Sequence, residues 1–186
     1  MKVKGSQVGW VFWLQWVLAS TVGMFVGYPV GAITLGNVLG DWLGTLFFGT
    51  GLGIGVGVLQ WLVLRRRVSG AGWWVLASAA GGYGIVQAAP HMFSPSLSFG
   101  GLLSYTPVVA LGGAVTGTLQ WLVLRGQFSR AGWWMLASTV GWWLSVTVWG
   151  VHNWDAIGAF FVTGAVLGAV TGGALVWLLR QPVPEV

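Results

Sequence analysis

The chain has 186 residues, 56% hydrophobic and 6% charged, with mean hydropathy +0.81 and a formal net charge of +5. A soluble domain carries about 25% charged residues, so this composition excludes a water-soluble globule and makes lipid the expected solvent. The absence of Cys removes disulfides, thiolate metal sites and cysteine nucleophiles.

Six apolar segments are predicted, at 9–30, 42–64, 72–90, 102–124, 132–151 and 157–179. Each approaches the ~20 residues a helix needs to cross a bilayer. None shows the alternating polarity of a barrel strand. Span one follows Lys2 and Lys4 and contains Ala19-Ser20, so taken alone it reads as a signal peptide. A repeat decides otherwise. Its phrase Trp-Val-Leu-Ala-Ser at 16–20 returns at 74–78 in span three, and with Met for Val at 134–138 in span five. Internal copies cannot be signal peptides, so span one is expected to be permanent. Span two closes on Leu-Gln-Trp-Leu-Val-Leu-Arg at 59–65, span four on the same phrase at 119–125, and span six on the degraded Leu175-Val176-Trp177-Leu178-Leu179-Arg180.

The expected fold is therefore an all-α membrane protein. It is one transmembrane domain over 1–186, built as three repeated helical hairpins (about 9–65, 70–125 and 130–180) set either around a pseudo-threefold axis or in a row. Residue size suggests glycine-rich even helices nearest that axis and Trp-rich odd helices outside. All eight Lys and Arg residues fall on one side of a six-span chain, with Asp41 and Asp155 on the other. The positive-inside rule makes the basic side cytoplasmic and places both termini there, in a bacterial cytoplasmic or thylakoid membrane. Most tryptophans read as interfacial belts: Trp10, Trp13, Trp73, Trp74, Trp133 and Trp134 inside, Trp42, Trp149 and Trp154 outside. Trp142 and Trp143 lie deeper.

The even spans carry a glycine ladder at spacings of four: Gly49, Gly53 and Gly57, then Gly113 and Gly117, then Gly164, Gly168 and Gly172. Such a zipper is expected at close helix contacts. Gln60 and Gln120 each lie five residues before a closing Arg, where the third repeat has Leu175, and Gln15 lies at a similar depth. These glutamines are expected to bond between helices or to line a cytoplasmic mouth. His91 and His152 cap the outer ends of odd spans and are the candidate ligands for haem or chlorophyll; no metal cluster is predicted. Asp41 and Asp155 suit helix capping better than catalysis. Arg65, Arg66 and Arg67 are candidates for contact with anionic lipid.

The phrases Leu-Gln-Trp-Leu-Val-Leu-Arg and Ala-Gly-Trp-Trp-Val-Leu-Ala-Ser resemble a group of uncharacterised Trp- and Gly-rich polytopic membrane proteins of cyanobacteria and related bacteria. The resemblance implies a membrane location and no catalytic residues. No ionisable side chain falls mid-span, which argues against ion-coupled transport and acid/base chemistry. The first functional expectation is a non-catalytic scaffold or accessory protein acting through helix, protein or lipid contacts. The alternatives are a passive channel or carrier for a small neutral solute, and a pigment- or haem-binding protein. Membrane lipids are the expected partners, then other membrane proteins or a second copy of the chain, and not nucleic acid.

Overall fold

A backbone that enters hydrocarbon must satisfy its own hydrogen bonds, and this one does so as helix. The computed structural model describes residues 9–34, 41–86, 99–152 and 156–181. Among the described residues are six helices and no strand: α1 (Trp10–Thr34), α2 (Asp41–Leu64), α3 (Gly72–Val86), α4 (Phe99–Leu124), α5 (Trp133–His152) and α6 (Ala156–Leu179). Four of them, α1, α2, α4 and α6, contain stretches long and apolar enough to cross a membrane. Large apolar side chains face outward around the bundle, among them Leu18, Ile54, Leu76, Leu111, Leu136 and Phe161. Water would not tolerate such a surface, whereas lipid does.

Each helix packs antiparallel against its chain neighbours, and α6 packs back onto α1, so the six form a closed ring. Among the described residues no helix touches another across the ring by backbone approach. The even helices are therefore separated from one another, contrary to the expectation that they crowd the axis. They use their glycines sideways instead, each against the next odd helix. A Cβ at Gly57 would stand 2.9 Å from Ser78 Cβ, one at Gly117 2.8 Å from Ser138 Cβ, and one at Gly168 2.9 Å from Ser20 Cβ. Gly53 and Gly164 meet Ala79 and Thr21 in the same manner, Gly113 meets Trp142, and the carbonyl of Gly49 lies against Gly82. The α1–α2 contact uses a second pair that the even-span ladder does not include. Gly23 lies against Val56 Cα and Gly27 against Leu52 Cα, where added Cβ atoms would stand at 2.5 and 2.6 Å.

The two connections at the basic end are built alike. After α2 the chain turns with Val68 N donating to Leu64 O, and after α4 with Phe128 N donating to Leu124 O. Gly70 takes the left-handed conformation (φ 67°) before α3 begins. The two turns are joined: Ser69 N donates to Gln127 Oε1 (2.7 Å) and Gln127 Nε2 donates to Ser69 O (3.0 Å). One apolar cluster fills this end of the ring, including Trp16, Leu64, Trp74, Leu124, Trp134 and Leu175. A second lies further along the bundle, with Met24, Leu52, Val56 and Leu167.

Candidate functional site

The repeated phrase places its Trp on the inward face of each odd helix. Trp16, Trp74 and Trp134 are 0–1% exposed and meet one another on the axis. Their ring centroids lie 5.8, 6.0 and 5.1 Å apart, and all three pairs are edge-to-face. Such pairs contribute about 0.5–1.5 kcal/mol each beyond area burial. Trp74 and Trp134 are thus core residues rather than belt anchors. Their neighbours Trp73 and Trp133, with Trp10, remain 57–68% exposed, as a belt requires.

Three buried indole N–H groups need acceptors. Trp74 Nε1 donates to Gln60 Oε1 (2.9 Å) and Trp134 Nε1 to Gln120 Oε1 (3.1 Å). Each glutamine then reaches back to the preceding odd helix: Gln60 Nε2 donates to Ser20 Oγ (3.0 Å) and Gln120 Nε2 to Ser78 Oγ (2.9 Å). Trp16 Nε1 donates instead to Thr171 Oγ1 (3.0 Å), which donates to Leu167 O (2.6 Å). Ser138, with no glutamine beside it, donates to Gly113 O (2.9 Å).

Aligning the third repeat on its closing Arg puts Leu175 opposite the two glutamines, and the structure corrects this. Gly57, Gly117 and Gly168 make matching contacts, and Gln60, Gln120 and Thr171 each follow three residues later. Leu175 shares the register of Leu64 and Leu124, and all three are 0% exposed. Nine residues separate Thr171 from Arg180, against five from Gln60 to Arg65, so α6 carries one more turn before its Arg. The degraded phrase is a shifted one, and the acceptor function survives in Thr171.

Beyond this floor the ring encloses an axial cavity of about 110 Å³, lined by side chains from all six helices. Its walls are chiefly apolar, including Met24, Phe48, Leu52, Val56, Trp142 and Leu167. The lining from Gln60 to Phe48 on α2 extends about 18 Å along the axis at 1.5 Å per residue. Four of its five hydroxyl groups are in hydrogen bonds: Thr116 donates to Gly112 O (2.8 Å), Thr171 to Leu167 O and Ser138 to Gly113 O, and Ser78 accepts from Gln120. Such a chiefly apolar lining suits an apolar guest. Its volume is well below the ~300–1,000 Å³ typical of sites for drug-sized ligands, so it suits a small or slender molecule and not a tetrapyrrole.

The other predicted residues scatter. Gln15 is exposed on the outside of α1 and does not join Gln60 and Gln120. Gln60 and Gln120 are 4% and 5% exposed and line the inner end of the axial cavity. His152 ends α5 and Asp41 opens α2, while His91 and Asp155 lie outside the described residues. Among the described residues no group of three His, Cys, Asp or Glu could hold a metal ion. Arg65 lies over Trp61 (5.7 Å), Arg125 over Trp121 (5.6 Å) and Arg67 over Phe12 (5.1 Å). The serines of the network and Thr171 are not among the candidates drawn from sequence. The signal was available for the serines, since each stands four residues after its Trp in the repeated phrase. Comparison with known proteins finds no matching family model, no similar curated protein and no similar solved structure.

Proposed function

We propose that this chain is a non-conducting, non-catalytic integral membrane scaffold or accessory protein of six spans in a pseudo-threefold bundle. Its termini face the cytoplasm, and its blind axial cavity accommodates a slender apolar molecule or chain end. One observation carries this reading: three buried tryptophans meet on the axis at the basic end. A permeant solute would have to displace all three, and their N–H groups are already bonded to Gln60, Gln120 and Thr171. The solute-carrier reading needs polar groups at a mouth, and neither Gln15 nor the buried glutamines supply one. The basic connections at 65–71 and 125–132 both join helices at this end of the ring, which supports the six-span placement.

Two measurements test the proposal. Proteoliposomes should pass glycerol or urea no faster than protein-free vesicles, and a reproducible flux altered by Trp134→Ala would defeat it. In intact cells, single cysteines replacing Ser69 or Ser129 should be shielded from an impermeant thiol reagent, while one at Ser96 should react. External labelling at Ser69 would reject the topology.

A further inference from the structure

Two of the three repeats present versions of one lipid-facing groove. Between α1 and α2, at the basic end, a groove of about 810 Å³ is lined by Gln15, Leu18, Val22, Leu59, Arg65 and Arg66, among others. Between α3 and α4 the matching groove, about 600 Å³, carries Trp73, Leu76, Ala80, Leu119 and Gly126. The apolar walls correspond position for position, with Val22 against Ala80, but Arg65 lines the first groove whereas its sequence counterpart Arg125 does not line the second. Phe12 and Arg67 of the first groove give way to Gly70 and Gln127 in the second. Where the first groove has Gln15 and Arg66, the second has Trp73 and Gly126. In the register set by Thr171, the third repeat places Trp177 opposite Arg66. That indole packs on Trp133 (6.4 Å) beneath the guanidinium of Arg130 (5.8 Å). One position is thus Arg, Gly and Trp in turn: charged, vacant of side chain, and filled.

We propose that the α1–α2 groove binds one anionic phospholipid, its phosphate held by Arg65, Arg66 and Gln15 and one acyl chain lying along Leu18, Val22 and Leu59. The chemistry matches at both ends. Guanidinium N–H groups fit phosphate oxygens in a fork, and Arg65, held over Trp61 at 5.7 Å, lines the groove. Gln15 is exposed at the level where the phosphate and glycerol of an inner-leaflet lipid begin, and its amide donates to either. From Gln15 to Val22 the apolar wall runs about 10 Å into the membrane. Topology alone requires positive charge on this face. It does not require that the charge collect, with a glutamine, around one of these two matching grooves.

This inference rests on the membrane placement proposed above, but not on the axial cavity. The test is native mass spectrometry of the full chain in detergent, with phosphatidylglycerol and phosphatidylcholine added at equal concentration. Lipid retention is read without reference to orientation, so a wrong topology fails separately, in the Ser69 labelling. The wild type should retain one phosphatidylglycerol and exclude phosphatidylcholine. Arg66→Gln with Gln15→Leu should weaken retention roughly fivefold or more, the effect expected of one basic residue near an anionic surface. Arg125→Gln, which removes one basic residue from the same end of the bundle but outside both grooves, should leave it unchanged. Trp73→Gln with Gly126→Arg should create a second retained phosphatidylglycerol; an added Cβ at Gly126 meets no atom within 4 Å. Equal retention of phosphatidylcholine, an equal loss in Arg125→Gln, or displacement by inorganic phosphate would overturn the proposal. If the first double variant does not fold, the second decides, and no gained lipid there overturns it.

Discussion

At the scale of single residues the protein solves one problem three times: a buried indole N–H must find an acceptor. Leaving a buried donor unsatisfied costs about 1–3 kcal/mol. Thr171→Val keeps the shape and removes the acceptor of Trp16, so it should lower unfolding stability in detergent by that amount. Thr118→Val, at an exposed site on α4, should change it little. Gln120→Leu should cost at least as much as Thr171→Val, because it strands Trp134 Nε1 and also removes the donor to Ser78. Thr171→Gln should restore the full motif, accepting from Trp16 and donating to Ser138; a structure of that variant lacking both bonds would contradict the register assigned here. These partnerships were only half legible in the sequence. Repetition of Trp, Ser and Gln announced a shared role, but an alignment anchored on a charged end hid Thr171. The Arg marks where a helix meets water, and α6 reaches that level one turn later than α2 and α4.

At the scale of helices the packing is written in missing side chains. Gly53 and Gly164 lie so close to α3 and α1 that an added methyl would meet backbone atoms, which cannot move aside as a flexible side chain does. Gly53→Ala and Gly164→Ala should each destabilise by about 1–3 kcal/mol, the usual cost of overpacking. Gly173, on an exposed helical face with no atom within 4 Å of an added Cβ, should behave oppositely. Gly173→Ala should raise stability by about 0.5–1 kcal/mol through helix propensity. Thermal unfolding of the three variants in one detergent checks both signs. The ladder at spacings of four was readable from sequence because close helix approach needs small residues on one face. Which helix it meets was not, since spacing gives a face and not a neighbour. Residue size suggested the axis for the glycine faces. The axis instead holds the largest side chains in the chain, because a ring of six helices leaves a centre too wide for glycine to fill.

At the scale of the whole molecule, repetition and closure are separate facts. Three similar hairpins could stand in a row, and nothing in the spacing of the phrases forbids it. What closes the ring is the contact of α6 with α1: Trp16 Nε1 on Thr171, Trp13 Nε1 on Ala169 O (3.0 Å), and Gly164 and Gly168 against Thr21 and Ser20. The hydrogen-bonded partners stand 155 and 156 residues apart along the chain. Because ribosomes build chains from the N-terminus, α1 is made before the other five helices and waits longest for its second neighbour. Until α6 arrives, the indole of Trp16 has no acceptor from the last helix, and α1 presents an unfilled edge to lipid. A chain stopped after His152 keeps five helices and leaves two such edges, on α1 and α5. That shortened chain should associate with copies of itself or be degraded, and co-expressing the segment 153–186 should return it to a discrete species on gel filtration. Arrival of α6 and completion of the hoop are then one event, and a product stalled before α6 carries its own mark of being unfinished.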